Sequence, residues 1–214
     1  MTNTKGKLLD TAERLFGERG YAATSLRQVI AEAGVNLAAV HYHFGDKEDL
    51  LDAVVLRKVT PVNDARLAWL DRVEAEAGDG PLAVESVLES FLLPTAETAS
   101  RNPGFVRLMG RMLMEGEMPR LVEKHFRAGG MRFLAALRRA APDLSQEELL
   151  WRVHFMVGAI AHTMTAAPIF PQLAGDAADM EPRMKRLVTF LSAAFRAPAT
   201  ELPAGIVPVR VKEQ

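Results

Sequence analysis

Ser25-Leu26-Arg27-Gln28-Val29-Ile30-Ala31-Glu32-Ala33-Gly34-Val35-Asn36-Leu37-Ala38-Ala39-Val40-His41-Tyr42-His43-Phe44 decides how this chain folds. Thr24 and Ser25 place hydroxyls where they can accept from the free amides of a first helical turn, and Gln28 completes the capping-box spacing with Ser25. Leu26, Val29, Ile30 and Ala33 share one face of the helix that follows. Gly34 offers a left-handed stop, and Asn36 a new N-cap only two residues later. Two short helices joined by so tight a turn predict a helix-turn-helix, with residues 36–44 as its second helix.

At about 100° per residue, Val40 and Phe44 share the inward face of that second helix, while Tyr42 points almost directly away. Ala38, Ala39 and His41 flank the outward arc. Small residues for close approach, with donors and stackable rings, suit a helix entering the DNA major groove. The plainer alternative is that His41, Tyr42 and His43 are exposed polar aromatics on a packed trihelical module. A metal reading of His41-x-His43 fails because residues two apart on a helix diverge by about 200°.

Upstream, Leu8, Leu9, Ala12, Leu15 and Phe16 recur at helical spacing and predict a helix with one buried stripe, stopped near Gly20. Downstream, Asp46 can cap a helix through Leu50, Leu51, Val54, Val55 and Leu56 that meets Pro61, where a break is expected before it resumes to about Glu76. Helical patterns follow over residues 82–100, 104–115, 119–141, 146–167 and 178–195, with breakers between them. The expected architecture is all-α. Residues 1–50 form a DNA-binding head, residues 51–197 a helical body for ligand binding and dimerisation, and residues 198–214, with short Val/Ile pieces between prolines, an extended or mobile tail.

Composition narrows the function class. With no cysteine in 214 residues, disulfides and thiolate metal sites are excluded; no secretory leader is evident, and a cytoplasmic setting is expected. The most apolar stretch, residues 153–170, carries His154, His162 and Pro168, which argues against a membrane span. The net charge is −1. In the first fifty residues Lys5, Lys7, Arg14, Arg19, Arg27 and Lys47 face seven acids, so any DNA footprint must be local. No GxSxG, HExxH or P-loop pattern occurs, so neither catalysis nor a cofactor or metal is expected.

Gly20-Tyr21-Ala22-Ala23-Thr24-Ser25, Ala33-Gly34-Val35-Asn36 and His41-Tyr42-His43-Phe44-Gly45-Asp46-Lys47-Glu48-Asp49-Leu50-Leu51 together resemble the N-terminal domain of TetR-type transcriptional regulators. The resemblance implies a homodimer whose heads enter successive major grooves of a pseudo-palindromic operator on double-stranded DNA, with an effector in the body changing head separation. It implies phosphate contacts from Thr24, Ser25, Tyr42, His43 and Lys47, and base contacts from Ala38 and His41, with Asn36 and Leu37 in the same footprint. Where many members carry Ser-Lys-Gly, this chain has Asn36-Leu37-Ala38, so one phosphate-binding lysine is missing. Leu37 is either partly buried or set against a thymine methyl. Lys5, Lys7 and Arg27 either restore cationic contacts or are solvated surface charge.

Residues 36–40, Pro142-Asp143-Leu144-Ser145 and the run from Trp151 to Gly158 are similar to a TetR subgroup that includes fatty-acid-responsive regulators. Phe105, Met109, Met112, Phe126 and Phe155 are candidates for an adaptable apolar pocket, against the alternative of plain core. Arg107 and Arg111, four residues apart, are candidates to pair with a ligand carboxylate, against the alternative of an exposed stripe. A small apolar or acyl effector is therefore expected. The last two long helices, with Gly158, Ala159 and Ala161 on one and Leu187, Val188, Leu191, Ala194 and Phe195 on the other, are the expected dimer interface. The rival to a repressor is a helical sensor or interaction protein whose head no longer binds DNA.

Overall fold

The computed structural model describes residues 4–36, 42–114, 122–165 and 179–199, and all regular structure among them is helical. Helix α1 spans Thr4–Arg19 and buries Leu8, Leu9, Ala12, Leu15 and Phe16, the stripe that the spacing predicts. It stops at Gly20, whose φ of 87° is left-handed and whose N–H returns to the Phe16 carbonyl. Tyr21 then folds its ring edge-on to Phe16, 5.5 Å between centroids.

Helix α2 spans Leu26–Ala33 behind a complete capping box: Ser25 Oγ accepts from Gln28 N–H, and the Gln28 side chain accepts from Ser25 N–H. At its end Gly34 has a φ of 64° and Val35 N–H reaches back to the Ile30 carbonyl, a Schellman stop that satisfies two terminal carbonyls. Phe44 is buried, and left-handed Gly45 leads into Asp46, whose carboxylate accepts from the N–H groups of Glu48 and Asp49, both at 2.8 Å.

Helix α3 spans Lys47–Ala77 without the break expected at Pro61. Proline removes one helical hydrogen bond, and Pro61 lies on the exposed side, where water can satisfy the carbonyl it frees. At about 1.5 Å per residue this helix is roughly 45 Å long and links head to body. Arg57 on α3 pairs with Asp10 and Glu13 of α1, and Lys58 with Glu13, at 2.6–3.0 Å.

The body comprises α4 (Val84–Arg101), α5 (Pro103–Met114), a π-helical turn (Val122–Phe126) running into α6 (Arg127–Ala140), α7 (Gln146–Thr165) and α8 (Met180–Arg196). Helix α4 packs against α3, α5, α6 and α8, and α5 packs on α7. The closing end of α8 is tied down by Arg152 of α7. Its guanidinium is buried, donates to the carbonyls of Ala194, Ala197 and Pro198, and is neutralised by Glu148. Such a cation satisfies the orphan acceptors at a helix C-terminus. No described helix is long and apolar enough to cross a membrane.

Candidate nucleic-acid interface and effector cavity

On the head, Tyr42 projects outward with 85% of its surface exposed, and the His43 ring lies edge-on to it at 5.0 Å. Phe44, directly after them, is buried, so this short run turns Phe44 into the core and leaves Tyr42 exposed and His43 half-exposed. Arg27 is exposed in the first turn of α2, with no acidic partner among the described residues. Ser25 is exposed, though its hydroxyl is engaged with Gln28. Asn36 is exposed. Lys47 holds its ammonium 4.1 Å from the centre of the Tyr21 ring, and partial burial pushes its pKa down. Leu37, Ala38 and His41 lie outside the described residues.

Thr24 requires a correction. Its side chain is fully buried, and its hydroxyl donates to the carbonyls of Gly20 (2.9 Å) and Leu15 (3.3 Å), so it closes the end of α1 instead of facing phosphate. Thr24→Val, nearly isosteric, is expected to lower stability by about 1 kcal/mol while leaving DNA affinity unchanged. Denaturant melts beside binding titrations check this; a loss of affinity at unchanged stability would restore the phosphate role.

The body holds a partly open cavity of about 450 Å³ between α3, α4, α5, α6 and α7, a size that suits a small organic molecule. Phe105, Met109, Phe126, Phe133, Met156 and Ile160 supply much of its apolar wall. Asn63, Thr95 and Thr98 are its neutral polar groups, Arg66 and Arg127 its cations, and no acidic side chain occurs among its described lining residues.

Arg66 is held in place by three bonds. Its Nε donates to the Phe91 carbonyl at 2.8 Å, one terminal nitrogen to Asn63 Oδ1 at 3.2 Å, and the other to Thr95 Oγ1 at 2.7 Å. The guanidinium carbon lies 4.1 Å from the centre of the Phe91 ring. Part of its surface borders the cavity, yet separation from bulk water pushes its pKa down to about 10, still well above neutrality.

A head of this form on such a body matches known sequences. Residues 8–54 match the model of bacterial regulatory proteins of the tetR family, and residues 86–194, half of the chain, match the tetracyclin repressor-like C-terminal domain. The chain belongs to the TetR family. Similar proteins include the HTH-type transcriptional regulator AcrR of Shigella flexneri, 30% identical over 112 residues, which are 52% of this chain and 46% of AcrR. This TetR-family chain spans less than half the length of the curated relatives it matches.

Solved structures share the fold. A tetR-family regulatory protein from Rhodococcus superposes with a TM-score of 0.63 at 18% identity, over 90% of this chain and 97% of that one. The ketosteroid regulator KstR2 of Mycobacterium tuberculosis gives 0.63 at 16%, over 91% and 95%. These relatives and neighbours are regulators, not enzymes.

Of the effector residues that the sequence points to, the structure brings Phe105, Met109 and Phe126 to the cavity of the TetR-family body. Met112 is buried outside its lining, and Phe155 is 63% exposed on the outer side of α7. Arg107 and Arg111 are exposed and line no part of the cavity. They lie on the other side of α5 from Phe105 and Met109, because residues two apart on a helix diverge by about 200°. The Arg111 guanidinium instead approaches Gly20 of the head. Arg66, which the sequence reading passes over, had a readable signal: it stands in the α3 row Val59, Val62, Arg66 and Leu70, a lone cation in an apolar stripe.

Proposed function

We propose that this TetR-family chain is a ligand-responsive transcriptional repressor: it binds a pseudo-palindromic operator as a homodimer and leaves it when a small apolar or acyl effector fills the cavity. One observation carries the reading: the outward Tyr42/His43 pair, set beside buried Phe44 and downstream of a fully capped α2 that ends in the Gly34 stop. Phosphate anchorage comes from Tyr42, His43, Ser25 and Lys47, with Arg27 and the exposed Lys5 and Lys7 adding charge at the flanks. Base reading falls to Ala38 and His41, with Asn36 and Leu37 beside them. DNase footprinting of the region upstream of the gene is expected to reveal a protected site with two-fold symmetry. Failure to protect any such site there or elsewhere in the genome contradicts the proposal.

A homodimer through α7 and α8 is supported by the exposed rings there. Trp151 stacks on Phe155 at 5.7 Å, and Trp151, Phe155 and Phe190 expose 52%, 63% and 66% of their surfaces. A monomer gains nothing by presenting three large rings to water. The expected apolar face of α8 needs revision: Leu187, Val188, Leu191 and Phe195 are buried within the chain, which leaves Phe190 as the outward group. Ala161 is likewise buried, whereas Gly158 is exposed beside Phe155. Phe155→Glu, harmless to an isolated chain because the site is exposed, is expected to convert a sedimenting dimer to monomer and weaken operator binding. A variant that still sediments as a dimer argues for a different interface.

A further inference from the structure

Arg66 combines features that a purely structural arginine does not need. A guanidinium withdrawn from bulk water ordinarily has a carboxylate beside it, because an uncompensated charge in a low-dielectric wall is costly. Among the described residues Arg66 has none: its partners are a carbonyl, an amide oxygen and a hydroxyl, all neutral. The groove it borders adds a second cation, Arg127, at an exposed position and no described acid. Each terminal nitrogen of Arg66 spends one N–H on the protein and keeps one more to offer. Asn63 and Thr95 fix the fork from both sides, so little side-chain freedom remains to be lost when an acceptor arrives.

We infer that Arg66 is the anchor for an anionic head on the effector, and that the cavity takes an amphipathic carboxylate: one carboxylate against Arg66, with an apolar body against Phe105, Met109, Phe126 and Met156. This rests on the cavity being the effector site, and it narrows the chemical class from small apolar or acyl molecules to amphipathic monoanions. The missing counter-ion is then supplied by the ligand. An exposed pair such as Arg107 and Arg111, surrounded by water, gains far less from the same carboxylate. The competing account is that Arg66 serves only to pin α3 to α4 through the Phe91 carbonyl and Thr95.

Matched amphiphiles separate the two on the full chain by calorimetric titration, using dodecanoate, dodecanol and dodecylamine below their aggregation concentrations. Dodecanoate is expected to bind about tenfold or more tighter than dodecanol, with dodecylamine weakest, as an added charge-assisted hydrogen bond implies. Arg66→Met is expected to hold dodecanol as the parent does and to bring dodecanoate down to the same level, while Arg66→Lys keeps part of the preference. Should Arg66→Met fail to fold, the head-group comparison in the parent and in Arg66→Lys decides alone. Equal affinity for dodecanoate and dodecanol in the parent, or an undiminished preference in Arg66→Met, overturns the inference. In that case release of DNA by either amphiphile would leave the effector reading standing. If no amphiphile binds, the cavity is not an effector site for this class and both readings fall.

Discussion

Replacing Tyr42 and His43 together by alanine is expected to weaken binding to every DNA sequence by roughly a hundredfold or more, with almost no change in melting temperature. A hydrogen bond to a charged phosphate is worth about 1.5–3 kcal/mol, and each head loses two donors. Folding loses little, because Tyr42 is almost wholly exposed and the ring that anchors this segment, Phe44, is untouched. The loss should be uniform across sequences, since phosphate contacts position the head without reading bases. Substitution of His41 or Ala38 should instead shift the preferred sequence. Quantitative binding to a panel of duplexes distinguishes these outcomes: identical losses from both kinds of change would refute the division between anchoring and reading.

The second large effect is expected at Gly17, where the head meets the body. A Cβ added there would stand 2.8 Å from the Gly104 carbonyl oxygen and 3.0 Å from its carbon, both backbone atoms of the first turn of α5. In an open helix position glycine to alanine is stabilising by about 0.8–1 kcal/mol, whereas forcing extra volume into a packed contact costs about 1–3 kcal/mol. Gly17→Ala, the steric cost less the helix gain, should therefore lower stability by roughly 1 kcal/mol. Gly129→Ala, in α6 with nothing within 4 Å of the new methyl, should raise it by about 0.5 kcal/mol or more. Paired chemical melts test the contrast, and two stabilised variants would mean that α1 and α5 are not in contact.

The same contact bears on signalling. Gly104 touches the head, and the adjacent Phe105 and Val106, with Met109 one turn on, line the cavity, so one short helix contacts both sites. Displacing α5 from α1 is accordingly expected to reduce the effect of an effector on DNA affinity, measured as the ratio of operator affinities with and without ligand.

The legible features were those fixed by local chemistry. The α1 stripe, the Ser25 capping box, the Gly34 stop and the Asp46 cap all depend on side chains a few residues apart, and each appears as the spacing predicts. Thr24 departs from its expected role because a hydroxyl ahead of a helix can turn outward to phosphate or inward to a preceding carbonyl. Packing against Leu15 and Gly20 decides that, and both lie on another helix or its end. Pro61 does not break α3, because one lost hydrogen bond on an exposed side does not outweigh the buried contacts on either side of it, at Val59 and Leu70.

The cavity of the body is half legible for a similar reason. Phe105, Met109 and Phe126 announce an apolar wall by residue type alone, but which cation faces it depends on how α4, α6 and α7 close over α3. A paired arrangement, Arg107 and Arg111, drew attention to charges that stay in water. The informative arginine was the solitary one within an apolar row.

The head carries no excess of positive charge and has Leu37 where many members place a lysine, so its grip on DNA depends on a few local contacts. Fluorescence anisotropy of the full chain on random and on footprinted duplex, repeated across a salt series, tests it directly. Each neutralised phosphate contributes close to one unit of slope in log affinity against log salt, so several contacts give a steep decline. Binding to both duplexes with that decline is expected, stronger on the footprinted one. Affinity indifferent to salt, or no binding at the lowest salt, would contradict it.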